Sequence, residues 1–175
     1  KLMTRNGTII NVGGGAGGLA NYLYFANRNR KITGIDLSKN RITRAKKTIR
    51  KGRDVNFIYG DFLESDLPIA EAYLLVDVLH HIKYSNQEKV LTLLSKRLRN
   101  DSSLIMKEAN SGNFLPFIFS RVTEKILYPK EYIYTRTKKE WLKLFKKLNF
   151  KCKIYSGAFY FPDSTLIFQC TKKNS

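Results

Sequence analysis

A doubly wound α/β fold with a mostly parallel sheet is the architecture this sequence predicts, on three observations. Short strand-like apolar runs alternate with amphipathic helical segments five times in succession. The first run turns directly into a glycine-rich stretch, residues 13–18. Two more strand-like segments close the chain with only a short connection between them, which suits an antiparallel pair.

Residues 8–12, Thr-Ile-Ile-Asn-Val, read as the first strand. The glycines after it lead into a short helix in which Leu19, Leu23 and Ala26 recur at helical spacing. The second strand, 31–35, ends at Asp36; Ser38 can cap the next helix, whose buried stripe is Ile42, Ala45 and Ile49. Residues 55–59 alternate as a third strand and stop at Gly60-Asp61. The run 72–78 is apolar except for Asp77, as expected of a strand buried on both faces. Ser85 and Glu88 are expected to form a capping box for a helix with Val90, Leu91, Leu94 and Leu98 inward. A fifth strand covers 103–106. Thr137 and Glu140 make a second capping box, opening a helix with Trp141, Leu144, Phe145 and Leu148 on one face. Residues 151–155 and 165–171 complete a seven-stranded sheet with an antiparallel C-terminal strand. Right-handed crossovers put helices on both faces, so ligands collect at the carboxyl ends of the strands, where strand order reverses.

Length and composition set the outer limits. The 175 residues, 43% hydrophobic and 13% aromatic, suit a single globular domain over 1–175. No run approaches the roughly 18 apolar residues of a membrane span, and the first residues lack a secretory apolar leader. Lys1 stands just ahead of a core strand, so an N-terminal lid segment is expected to be absent from this chain. Cys152 and Cys170 flank the terminal hairpin and can face each other across it. The expectation is two reduced, buried thiols in a cytoplasmic protein.

The net charge of +18 attracts anions: nucleic acid, acidic membrane surfaces or phosphorylated small molecules. Its main clusters, residues 39–53 and 138–153, fall on the polar faces of expected helices, which is where solvated charge belongs. No RNA-binding module motif accompanies them.

The residues that carry chemistry stand at strand ends. Glycines where a strand turns into a helix permit positive φ and a close approach of ligand to backbone. Gly13, Gly15 and Gly18 match G-x-G-x-x-G, whereas Gly13, Gly15 and Gly17 match G-x-G-x-G. Asp36, at the second strand end, can accept from both ribose hydroxyls of an adenosine ligand. Asp61 can accept from an adenine amino group, with Phe62 packing on the ring. The fourth strand ends Asp77-Val78-Leu79-His80-His81, and Glu108 follows the fifth. Asp36, Asp61, Asp77 and Glu108 thus make a locally acidic rim in a basic chain.

Taken in order, residues 11–18, Ile35-Asp36-Leu37-Ser38, Gly60-Asp61-Phe62 and Asp77-Val78-Leu79-His80-His81 resemble the motifs of class I S-adenosylmethionine-dependent methyltransferases, especially bacterial small-molecule members. Lys107-Glu108 and the helix ending in Asn149-Phe150 fit the same pattern, and the resemblance covers about residues 8–172. It implies a Rossmann-like fold and S-adenosylmethionine as cofactor, with S-adenosylhomocysteine as product. Gly13, Gly14, Gly15 and Gly17 would approach the methionine part of the cofactor. Asp36 and Leu37 would meet the ribose and its surroundings, Asp61 and Phe62 the adenine. Asp77 and Val78 would lie beneath the cofactor at the door to the acceptor.

The reaction implied is in-line displacement, with His80, His81 and Glu108 as candidates for a catalytic base. No residue spacing suggests a metal. Residues 113–134 carry Phe114, Phe117, Ile118, Phe119, Ile126, Tyr128, Tyr132 and Tyr134, where related enzymes insert a substrate lid. A small apolar or acyl-bearing acceptor fits such a lid; an ordinary helix packed on the sheet fits equally. Arg121, Lys125 and Lys130 in the same stretch also suit peripheral contact with an anionic membrane.

Three departures from the family pattern stand out. Asn11 occupies the position of a usual acid, Asn100-Asp101-Ser102 replaces a Pro-Gly-Gly turn, and the N-terminal lid helices are not represented. Three other readings share parts of the pattern. An NAD-dependent oxidoreductase shares the loop and Asp36, though no separate substrate domain follows. An RNA or DNA methyltransferase would use the charge, though 77–81 is not the Asn-Pro-Pro-aromatic motif. A non-catalytic cofactor-fold module would explain Asn11.

Overall fold

A computed structural model of the chain describes residues 6–109, 132–156 and 165–173. Strands β1 (Gly7–Val12), β2 (Arg30–Asp36), β3 (Val55–Tyr59), β4 (Ala72–Val76) and β5 (Ser103–Ala109) pair in parallel. Strands β6 (Phe150–Ser156) and β7 (Thr165–Lys172) run antiparallel, β7 lying between β5 and β6. The order β3-β2-β1-β4-β5-β7-β6 reverses direction between β1 and β4. Both strands end there beside the glycine loop, where a crevice is expected.

Adjacent residues of a strand face opposite sides of the sheet, and Ile9 and Ile10, both fully buried, show that each side is covered. On the side of Ile9 lie α1 (Gly18–Ala26) and α2 (Lys39–Lys46), packed through Ala20, Leu23, Tyr24, Ile42 and Ala45. On the side of Ile10 lie α3 (Tyr84–Arg97) and α4 (Lys138–Lys147), packed through Leu91, Leu94, Trp141 and Phe145. Each such large side chain removed from water contributes on the order of 2–3 kcal/mol. Trp141, Phe145 and Phe168 are among the largest fully buried residues, so this face anchors the C-terminal half.

Local signals set several boundaries. Ser38 caps α2 by accepting from Arg41 N at 3.3 Å. The capping box of α4 is present in both directions, Thr137 Oγ1 accepting from Glu140 N and Glu140 Oε2 accepting from Thr137 N at 2.7 Å.

The expected box at Ser85 and Glu88 does not form. The N-cap of α3 is Lys83, without a side-chain cap, and Glu88 instead pairs with Lys147 of α4. Long-range partners outweigh a local cap here. In α1 the buried stripe is Ala20, Leu23 and Tyr24, and Ala26 is exposed, because the helix starts at Gly18 and lasts only 9 residues. Strand β4 stops at Val76, since Asp77 takes φ 54° and leaves the ladder. Strand β5 continues to Ala109, three residues past the expected end, because β7 supplies partners for Lys107, Glu108 and Ala109.

The expectation of two reduced thiols is also overturned. Cys152 and Cys170 stand directly opposite in the β6–β7 register, Cα atoms 4.0 Å apart, and are joined as a disulfide. Much of the interval 113–134, including Phe114, Phe117, Ile118, Phe119, Ile126 and Tyr128, lies outside the described residues.

Candidate active site

Three of the loop glycines adopt positive φ: Gly13 at 69°, Gly15 at 55° and Gly17 at 86°. These are the positions of G-x-G-x-G. Gly18 is the first residue of α1, carries no such φ, and a Cβ there would meet nothing within 4 Å, so the close helix–strand packing that the third glycine of G-x-G-x-x-G serves is not required here. Close packing imposes a second requirement. A Cβ at Gly13 would collide with the side chain of Val78, and one at Gly17 would stand 2.5 Å from Cζ of Phe57. The loop is therefore pressed onto the end of β4 on one side and onto β3 on the other.

Asp36 ties the same loop to β2. Its Oδ2 accepts from Gly15 N at 2.9 Å and its Oδ1 from Ser38 N at 2.8 Å, with the residue 7% exposed. A carboxylate has about four acceptor sites, so two remain for a diol. Gly60 N donates to the Asp36 carbonyl at 3.2 Å, which brings the end of β3 alongside. Asp61 Oδ1 then accepts from Leu63 N at 2.8 Å, and Phe62 is buried in the core with the Arg97 guanidinium 5.7 Å from its ring centre. Phe62 thus anchors the turn that carries Asp61. Leu37, by contrast, is 69% exposed next to Asp36, an apolar side chain open to a flat ring.

Asn11 lies at 2% exposure two residues before Gly13, and its Nδ2 would stand 3.4 Å from a Cβ placed on Gly14 of the loop. Glycines that cannot accept a Cβ, a carboxylate with spare acceptor sites and this amide suit an amino-acid-bearing nucleoside such as S-adenosylmethionine.

The carboxyl ends of β4 and β5 hold the remaining candidates. Asp77 Oδ2 pairs with Lys107 Nζ at 2.7 Å on the exposed side. Glu108 and His80 are buried at 1% and 3% exposure, with Nδ1 of His80 2.6 Å from Glu108 Oε2. Glu108 Oε1 accepts from Leu79 N at 2.7 Å and Val78 N at 3.2 Å. The carboxylate therefore fixes both the imidazole and the backbone of the turn that presents it. His81 is exposed, its ring centre 4.2 Å from that of His80.

Sequence reasoning named these residues but missed Gln87 and Arg136. Gln87 is fully buried and bonded to the same turn, and Arg136 donates to it at 2.7 Å. An internal polar residue in a first helical turn gives no sequence signal; the Ser85 and Glu88 pattern around it pointed to a cap instead.

The charged clusters behave as solvated surface. Lys39, Arg41, Arg44 and Lys46 of α2 are exposed while Ile42 and Ala45 face the core. Among the described residues no helix is long and apolar enough to cross a membrane, and no group of three or more His, Cys, Asp or Glu could hold a metal ion.

Comparison with known proteins gives a consistent picture. The family model described as an O-methyltransferase domain matches residues 2–151. A cephaeline 6'-O-methyltransferase of Carapichea ipecacuanha is 31% identical over 153 residues, 82% of this chain and 41% of the relative. A carboxy-S-adenosyl-L-methionine synthase of Nautilia profundicola is 34% identical over 101 residues, 57% of this chain and 43% of the relative. The chain thus spans under half the length of these two curated relatives. Human N-acetylserotonin methyltransferase, solved in complex with SAM, superposes with a TM-score of 0.76 at 20% identity, over 95% of this chain and 48% of that one. At that identity the likeness speaks for the fold.

Proposed function

The chain belongs to the O-methyltransferase domain family, and from that premise we propose that it transfers the methyl group of S-adenosylmethionine to a hydroxyl oxygen of a small apolar acceptor. The observation that carries the reading is the meeting, at one sheet edge, of a cofactor-type cleft and the buried His80–Glu108 pair. When bound, the cofactor supplies an electrophilic methyl group on a cationic sulfur.

In this reading Gly13, Gly14, Gly15, Gly17 and Asn11 hold the amino-acid end, with the Asn11 amide acting where an acid is usual. Asp36 accepts from the ribose hydroxyls, Leu37 covers the adenine, and Asp61, braced by Phe62, accepts from its amino group. Val78, in contact with the loop at Gly13, forms part of the floor. Asp77, held by Lys107, keeps negative charge near the sulfonium.

A hydroxyl acceptor must lose its proton as it attacks, so the site needs a base. Glu108 accepts Nδ1–H of His80, which leaves Nε2 as the basic nitrogen and stabilises the imidazolium that forms. Of the three candidates, His80 is therefore assigned as base and Glu108 as the group that orients it, with His81 flanking them. An apolar acceptor is supported by the aromatic content of residues 113–134 and by the names of the relatives, a cephaeline 6'-O-methyltransferase and an N-acetylserotonin methyltransferase. A nucleic-acid acceptor would rest on net charge alone, and an NAD enzyme would lean on Gly18, where a Cβ would meet nothing within 4 Å and no close packing requires glycine.

The test is thermal stability with S-adenosylhomocysteine and with NAD, followed by transfer of a labelled methyl group to a panel of hydroxylated aromatics. A ligand of the native state raises its stability. Stabilisation by S-adenosylhomocysteine and labelling of an acceptor hydroxyl are expected; stabilisation by NAD alone would end the proposal.

A further inference from the structure

We infer that Gln87 is a positioning residue for His80: its buried amide, held by Arg136, clamps the turn that carries the imidazole. The inference rests on the reading of His80 as base. Residues Leu79–His81 form a single 3₁₀ turn, supported locally by His81 N to Val78 O at 3.1 Å and Ile82 N to Leu79 O at 2.9 Å. So short a turn leaves several backbone groups in need of partners, and buried ones must find them.

Gln87, fully buried on α3, supplies these partners from one side chain. Its Nε2 donates to Leu79 O at 2.9 Å, Ile82 O at 3.0 Å and Tyr134 O at 2.7 Å. Two N–H groups serve three carbonyls, so one bond is shared. The carbonyls of Leu79 and Ile82 bracket His80, and the His80 carbonyl accepts from Tyr134 N at 2.7 Å. Thus the backbone on both sides of the imidazole is tied through Gln87 to residue 134.

Arg136 determines which way the amide points. Its Nε donates to Gln87 Oε1 at 2.7 Å, and a guanidinium can only donate. The oxygen must therefore face Arg136 and the NH2 group must face the carbonyls. Arg136 is itself held over Tyr84, 4.7 Å from the ring centre, and over Trp141 at 5.5 Å. The result is a continuous link from the α4 end through Arg136 and Gln87 to the turn. Glu108 controls the imidazole from β5; Gln87 controls the backbone beneath it.

The experiment reads the His80 ring directly and needs no acceptor. Long-range proton–nitrogen NMR spectra distinguish the two ring nitrogens, and the chain has only two histidines, so His81→Asn assigns the signals. Gln87→Met removes the donors while keeping the length of the side chain. The expected result is loss of the single-tautomer pattern of His80, with S-adenosylhomocysteine affinity within about twofold of the parent. A folded Gln87→Met with an unchanged His80 pattern, in a protein where Glu108→Gln alters it, would overturn the inference. Should Gln87→Met fail to fold, Arg136→Met leaves the buried amide in place but frees its orientation; the same loss is expected, and an unchanged pattern is again fatal. Absence of S-adenosylhomocysteine binding by the parent would defeat the functional reading instead, whatever the tautomer result.

Discussion

Nδ1 of His80 and Oε2 of Glu108 stand 2.6 Å apart, joining the turn after β4 to the end of β5 with both side chains all but closed to water. Such a pair fixes the tautomer and orientation of the ring. Glu108→Gln should lower kcat about a hundredfold while leaving S-adenosylhomocysteine affinity nearly unchanged. Glu108→Ala, which also strands the Val78 and Leu79 amides, should cost about 3 kcal/mol in urea unfolding. Wild-type turnover by a folded Glu108→Gln would remove the pair from the mechanism.

Asp36→Ala should weaken S-adenosylmethionine affinity at least tenfold, about 1.4 kcal/mol, by calorimetric titration. Because Asp36 also accepts from Gly15 and Ser38, the melting temperature should be measured on the same sample. Undiminished affinity in a folded variant would rule it out as the ribose anchor.

The loop glycines should divide by φ rather than by motif. Gly13→Ala and Gly17→Ala each combine positive φ with a collision and should lose about 2–4 kcal/mol in denaturant unfolding. Gly18 meets nothing within 4 Å at the first position of α1, so Gly18→Ala should be neutral or stabilising by up to about 1 kcal/mol. Equal losses at all three would contradict the assignment of the spacing.

The α4 cap should make stability acid-sensitive. Hydrogen bonds from the Thr137 backbone, and then its hydroxyl, hold the Glu140 carboxyl below its ordinary value of 4.5. A carboxyl depressed in the folded state stabilises it above the unfolded pKa, and that contribution disappears as pH falls through the folded one. Glu140→Gln should therefore be less stable than the parent near pH 7, with the gap closing as pH falls below 4.5. Thr137→Ala should cost about 1 kcal/mol.

Closing an 18-residue separation, the Cys152–Cys170 bond should contribute about 3 kcal/mol, lost when reductant is added before thermal melting. Thiol titration of the denatured, unreduced protein should find none. Two reactive thiols would restore the reduced pair.

Most of the fold was legible in the residues. Periodicity located the strands and helices because alternation and helical spacing are local consequences of which side must avoid water. Ser38 and the Thr137–Glu140 box were legible because a cap needs only partners within four residues. What failed involved distant partners. Glu88 left its expected cap for Lys147, and Lys107–Ala109 became strand only because β7 runs beside them. The state of the cysteines depended on a register that spacing alone does not reveal.

For the site the division is similar. The sequence alone determined which chemistry-bearing residues stand at strand ends, since a strand that leaves the core must end in turn and polar residues. Only the tertiary structure decided which of them meet: Asp36 with Gly15, Val78 with Gly13, and His80 with Glu108. It also brought in Gln87 and Arg136, 49 residues apart. Hydrogen bonds between such residues depend on how the elements are stacked, and a one-dimensional pattern carries no information about which helix lies over which turn.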